Sequence, residues 1–247
     1  MDRNQAKGVG KKVGCGVCGC IFGTGGFVFF ILWLTLFSNT CARMMGEETY
    51  PISGNPRTFD PFAALPEIRA KVGEKAALIE VEARFVKSDG TLDLKASYNP
   101  APNASYTFIL PLDEAPKDAP PIGAGRKPND VWTQRVDVRV YEPGQRRHVR
   151  RMSGGSSSEY SYTNEGMDID RGTPTMGNLD RTIAAPRLTT QEMWEAAIER
   201  GADKDAVANI EYDDSGYTFR ISALDISLQW DKDGVFDEKR SRYPGKD

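Results

Sequence analysis

Residues 77–98 read ALIEVEARFVKSDGTLDLKASY. Ala77, Ile79, Val81, Ala83 and Phe85 alternate with Glu80, Glu82 and Arg84. That period of two puts one set of side chains on a buried face. Beyond Asp89-Gly90, Leu92, Leu94, Ala96 and Tyr98 alternate with Asp93, Lys95 and Ser97. Asp-Gly between two such runs predicts a two-residue type I′ turn. The turn opposes Phe85 to Leu94, Ala83 to Ala96 and Val81 to Tyr98, so every apolar pair shares one side of the ribbon. A ribbon with one apolar face needs a cover.

The flanking sequence offers one. Asp60-Pro61 is a helix start, Leu65, Ile68 and Val72 fall on one face, and Gly73 is a stop. Pro66 can delay the true start by a turn. A second helix is signed by the capping-box pair Thr189 and Glu192 and the staple Leu188 and Met193. Its apolar face is Met193, Trp194, Ala197 and Ile198, and Gly201 ends it. A second hairpin follows, with Ser215-Gly216 as loop. It opposes Tyr212 to Phe219, Ile210 to Ile221 and Ala208 to Ala223. The apolar phase then moves to Leu224, Ile226, Leu228 and Trp230, which predicts a bulge or corner near Ala223–Leu224. Asp233-Gly234 turns into a last short strand at Val235-Phe236.

Between these units, residues 103–110 read as a strand, the proline-rich 111–130 as a loop, and 131–141 as a strand with Trp132, Val136, Val138 and Val140 on one face. Residues 142–145 turn, 146–152 return as a strand, 153–158 form a loop, and 159–164 a short strand. Residues 165–188 show no usable period. The order helix, glycine, hairpin thus occurs twice, at 61–98 and 190–223. The expected fold class is α+β: a single N-terminal transmembrane helix, then an exported antiparallel sheet covered by two helices, in two helix–hairpin units.

The membrane expectation rests on residues 13–42, which contain no charged residue. A helix needs about 20 residues to cross about 30 Å of hydrocarbon. Arg3, Lys7, Lys11 and Lys12 precede the segment, whereas Arg43, then Glu47 and Glu48, follow it, and the next basic residue is Arg57. The positive-inside rule therefore leaves residues 1–12 in the cytosol and exports the remainder. The domain map is a basic tail 1–12, a membrane segment 13–42, a juxtamembrane linker 43–59 and an exported domain 60–247, with sub-units 60–164 and 186–238. Cleavage as a signal peptide, with Thr40 and Ala42 as the small residues, is the competing reading, although its apolar run is usually shorter. Cys41 is a poor match for a lipid-modified cysteine. The four cysteines are Cys15, Cys18, Cys20 and Cys41, so the exported domain has no internal disulfide. That composition fits a bacterial inner membrane with the domain facing the periplasm.

The partners implied are the lipid bilayer through residues 13–42 and an envelope protein or ligand. A weak homodimer through Cys15, Gly19 and Gly23, spaced by four, is a further expectation. A net charge of −3 argues against nucleic acid, which needs a positive face.

Catalytic signatures are sparse. Cys15, Cys18 and Cys20 lack a fourth metal ligand nearby. His148 is the single histidine and sits among Arg146, Arg147, Arg150 and Arg151, whose charge opposes its protonation and weakens it as a base. It reads as an exposed strand residue, and the basic run as a solvated or edge strand that could also grip an anionic partner. In the acidic stretch 231–238, an EF-hand register places Gln229 and Arg240 where carboxylates are required, so a hairpin turn is expected. Asn103-Ala104-Ser105 is a glycosylation sequon in a eukaryotic host. No residue is assigned a catalytic, cofactor or metal role. The expected function is a non-enzymatic, single-pass membrane protein whose exported domain binds or senses an envelope partner. The alternatives are an envelope hydrolase using carboxylates and a structural tether in an envelope assembly.

Overall fold

The computed structural model describes residues 47–117, 130–153 and 156–246. The membrane segment 13–42, the tail 1–12 and the Cys15, Gly19 and Gly23 stripe lie outside the described residues. Among those described, no helix is long and apolar enough to cross a membrane.

Within them the chain runs β1 (Glu47–Pro51), α1 (Leu65–Val72), β2 (Ala77–Val86), β3 (Asn103–Pro111), β4 (Val131–Val140), β5 (Arg146–Ser153), β6 (Ser156–Thr163), β7 (Gly166–Arg171), β8 (Thr175–Gly177), α2 (Thr190–Glu199), β9 (Ala208–Asp213), β10 (Gly216–Ile221) and β11 (Ile226–Trp230). A nine-stranded sheet has the order β1-β7-β4-β3-β2-β9-β10-β11, with β8 also on β4. Among the described residues its pairings are all antiparallel. β5 and β6 form a separate two-stranded ribbon.

The expected α+β class with two helix–hairpin units is therefore corrected to a mainly antiparallel sheet with two short helices. The first hairpin is where the expectation fails. The Asp89 carboxylate accepts from the Thr91 backbone N–H and hydroxyl, and the Lys87 N–H donates to the Thr91 carbonyl, which lengthens the turn. Pairing stops at the Val86–Leu92 bridge. Leu92 then exchanges backbone bonds with Phe59, Leu94 donates to the Pro56 carbonyl, and Asp93 captures the Lys95 N–H. An aspartate that bonds its own backbone competes with a ladder. β2 takes β3 and β9 instead, opposing Val81 to Tyr106 and Ala83 to Ala104.

β2 also changes phase. Register shifts between Leu78 and Glu80 and between Arg84 and Val86 bury Leu78, Val81, Ala83 and Val86. Ile79 and Phe85, expected on the core face, are only partly buried.

The helices form where local signals place them. Asp60 accepts from the Phe62 and Ala63 N–H groups, a proline stands in the first turn of α1, and Leu65, Ile68 and Val72 are buried. Arg171 donates to the Val72 carbonyl at 3.2 Å, satisfying an orphan at the end of α1. Thr189 and Glu192 form both halves of the capping box on α2. Trp194 of α2 meets Phe219 edge-on at 5.1 Å. Both helices thus pack on the face carrying Val81, Tyr106, Val138, Ile210 and Phe219.

The second hairpin has Asp214-Ser215 as its loop, opposing Tyr212 to Tyr217 and Ile210 to Phe219. This is two residues from the expected register, and a shift of two keeps every side chain on its face. The expected corner is a 3₁₀ turn at Ser222–Leu224, with Asp225 left-handed at φ 54°. The last expected strand shrinks to one bridge, Trp230–Phe236. Two stretches read as irregular are strands: part of the linker 43–59 is β1, and the aperiodic 165–188 contains β7 and β8.

Candidate functional site

Cross-strand partners share a face, so the register gives the opposite side of the sheet directly. One row across the strands is Asn103, Arg84, Asn209, Arg220, Ser227 and Arg242, where Arg242 bridges β11 from the C-terminal segment. The neighbouring row is Arg139, Ser105, Glu82, Glu211, Thr218 and Gln229. The ribbon reaches this face at its far end, where Arg147 pairs with Asp168 at 3.1 Å and the Tyr162 hydroxyl donates to the same carboxylate at 2.8 Å. Over β9 and β10 the face is open, and Asn209 and Arg220 are exposed.

Two concavities lie on the open part and share Arg220. The first, about 280 Å³, is lined by Glu82, Arg84, Phe85, Asn209, Glu211 and Arg220 among others. The second, about 630 Å³, is lined by Arg220, Ser227, Lys239, Arg240, Ser241, Arg242 and Lys246, with no carboxylate. Its cations are partly engaged at the rim: Arg242 with Asp225 at 2.5 Å, Arg240 with Asp237 at 3.9 Å, Lys246 with Glu238 at 3.8 Å. The Arg220 guanidinium has no ion pair or hydrogen bond among the described residues.

Phe85 owes its place to the bulge. Its φ is 66°, an outlier for a bulky residue, and its N–H donates to the Asn209 Oδ1 at 3.3 Å instead of to a ladder partner. The ring stacks on Tyr98 at 4.8 Å and 16°. An aromatic pair therefore stands at the groove, and Tyr98 is 45% exposed.

The electrostatics of the groove are divided. Arg84 donates to Glu82 at 2.8 Å. The Glu211 carboxylate, directly opposite Glu82, has no ion pair or side-chain hydrogen bond among the described residues. Burial, and the charges of Glu211, Glu82 and Asp213, push the Glu80 carboxyl above its usual range, against a smaller pull from Arg135. Among the described residues no group of three or more His, Cys, Asp or Glu side chains is placed to hold a metal ion.

The residues singled out in the sequence fall elsewhere. His148 is exposed on β5, 3.1 Å from a Glu159 oxygen and 3.0 Å from the Ser161 hydroxyl. In the acidic stretch, Asp231 Oδ1 accepts from the Asp233 and Val235 N–H groups at 2.9 Å each, so its carboxylate serves the turn. The groove residues were missed because the rows exist only once β2 pairs with β9. The one local signal was the Glu82-x-Arg84 pair on a strand.

No family model matches the chain, nor does any curated protein or solved structure.

Proposed function

We propose that this chain is a ligand-binding protein of a cell envelope, held in the bilayer by the uncharged segment 13–42, with residues 1–12 in the cytosol. The sheet domain faces outward, as the periplasmic part of a bacterial inner-membrane protein. The observation that carries the binding reading is that the bulged Phe85 lines a groove on the open sheet face among mostly polar and charged residues. Strained, non-glycine backbone that turns an aromatic ring out of the core is uncommon and clusters at ligand sites. Amide, hydroxyl and charged side chains around it supply orientation, the usual division of labour in a binding groove.

The address is tested by a reporter fused after Asp247, expected to be active only outside the cytosol. Binding is tested with the full chain carrying serine at Cys15, Cys18, Cys20 and Cys41, the exposed groove residue Ser222 changed by Ser222→Cys, and a photoreactive thiol label, in cells. A light-dependent adduct is expected there and not with the same label at Glu195→Cys, exposed on the helix that covers the opposite face of the sheet. Equal labelling at both positions, or none, would overturn the reading.

One observation favours a second reading, the carboxylate hydrolase. Glu82 and Glu211 face each other directly at the groove, and Glu80, one row along the same face, is held above its usual range by burial and by their charges. A groove-bound ligand that is cleaved by the native chain and left intact by Glu80→Gln would establish it.

A further inference from the structure

The row Arg84, Asn209, Arg220, Ser227, Arg242 sets a cation on every second strand. Strands lie about 4.8 Å apart, so successive arginines are about 9–10 Å apart along a line perpendicular to the strands. Between them stand an amide and a hydroxyl. The row joins the two concavities at Arg220, so it forms a continuous track rather than a single pocket.

We propose that this track binds a linear, sparsely charged anionic polysaccharide lying across the strands. The inference rests on the open face being a binding surface and names the class of its ligand. Three features select that class. The charge spacing suits one anionic group on every second sugar, and it mismatches a nucleic acid strand, with a charge about every 3.4 Å. The adjacent Glu82 and Glu211 repel a densely anionic chain but accept hydrogen bonds from sugar hydroxyls. The stacked Phe85 and Tyr98 rings give an apolar face of the size that a sugar ring covers. Two of the arginines are held in reserve by exposed ion pairs, Arg84 with Glu82 and Arg242 with Asp225, which are weak enough to be exchanged for a ligand. Arg220 is already free among the described residues.

The test is affinity electrophoresis of the full chain in neutral detergent, with hyaluronan, which carries a carboxylate on every second sugar, in the gel. Neutral dextran, polyphosphate and single-stranded DNA are the comparisons. Retardation by hyaluronan alone is expected. Arg220→Ala should weaken it about tenfold, the worth of one charge-assisted contact, and Arg220→Lys should recover part of the loss. Melting of each variant at the native temperature shows that the fold is intact, and Arg242→Ala gives a second variant should Arg220→Ala melt early. The proposal is overturned if hyaluronan does not retard the native chain. It is also overturned if polyphosphate or DNA binds as tightly, or if neither arginine variant loses affinity. If hyaluronan fails while the Ser222→Cys label still forms its adduct, the ligand class is wrong and the binding surface stands. If both fail, the surface falls too.

Discussion

Glu82 and Glu211 stand directly opposite each other on adjacent central strands. Like charges in that position destabilise a sheet. Arg84 neutralises only Glu82, and Glu80 beside them is raised by its burial together with the surplus negative charge. The open face thus keeps an unfavourable pair at the centre of the sheet, beside the strained Phe85. Fold stability alone would favour neither.

The first consequence is a pH dependence. In the folded chain Glu80 holds its proton more tightly than in the unfolded chain, whose value is near 4.5. Its contribution to stability is therefore complete below pH 4.5 and is lost as pH rises through the raised folded value. Glu80→Gln removes the penalty. Thermal melts should show the variant more stable at pH 7, by less than about 1 kcal/mol because the group is only partly buried and solvent still screens it, and equal to the native chain below about pH 4. A variant that melts lower at pH 7 would refute the repulsion.

Glu192 gives the opposite sign. Its carboxylate accepts the Thr189 N–H at 2.7 Å and the Thr189 hydroxyl at 2.9 Å, and these bonds hold it below its usual range. That stabilisation is present above the unfolded value and is lost as pH falls through the lowered folded one. Thr189→Ala should cost about 1 kcal/mol at pH 7, and less in acid. Melts of the two chains at pH 7 and pH 3 check both statements.

These local features were legible in the sequence because they need only neighbours along the chain. Thr189 and Glu192, the face of Leu65, Ile68 and Val72, and the phase change before Ile226 all lie within one element or corner. The partner of β2 was not legible. Asp89-Gly90 signals a tight turn, yet Asp93 spends its carboxylate on the Lys95 N–H, and the nearer strand loses to one that begins at Asn103. Met167 and Ile169 alternate with Asp168 and Asp170 over only four positions, too short a run to find β7 without β4 beside it. The site was hidden for the same reason. Phe85 reads as a core residue until the register with Asn209 inserts a bulge, and the arginine row is scattered over β2, β10 and the C-terminal segment.

The ribbon's hold on the sheet is a third test. Tyr162 and Arg147 both converge on the buried Asp168, and Arg147 lies over the Tyr141 ring at 4.0 Å. Tyr162→Phe should cost about 1 kcal/mol. Asp168→Ala, which leaves a partly buried guanidinium without this carboxylate, should cost about 3 kcal/mol. Limited trypsin digestion should cut Asp168→Ala within residues 146–151 well before the remaining sheet. Uniform digestion would show that the ribbon and sheet do not separate.

Gly90 joins the turn after β2 to the second helix. Its φ is 79°, its carbonyl accepts the Thr190 hydroxyl at 2.7 Å, and a Cβ there would lie 2.7 Å from that same Oγ1 and 3.0 Å from the Gln191 nitrogen. Gly90→Ala meets both a steric clash and a disfavoured backbone, so a loss of about 2–3 kcal/mol is expected. Denaturant melts measure it. Because Thr190 must move, the loss should be coupled to Thr190→Ser or Thr190→Ala in a double-mutant cycle.

Phe85 allows the sharpest separation of stability from binding. In a regular strand, glycine is worse than alanine by about 0.5–1 kcal/mol. At Phe85 the order should reverse, because φ 66° costs alanine and not glycine. Both variants lose the stack on Tyr98, worth about 1 kcal/mol. Phe85→Gly should therefore melt close to the native chain and Phe85→Ala about 1 kcal/mol lower. Both should lose groove binding alike, since neither presents a ring. If alanine proves the more stable of the two, the positive φ is not held in solution. The bulge would then have no claim to have been kept for the sake of the groove.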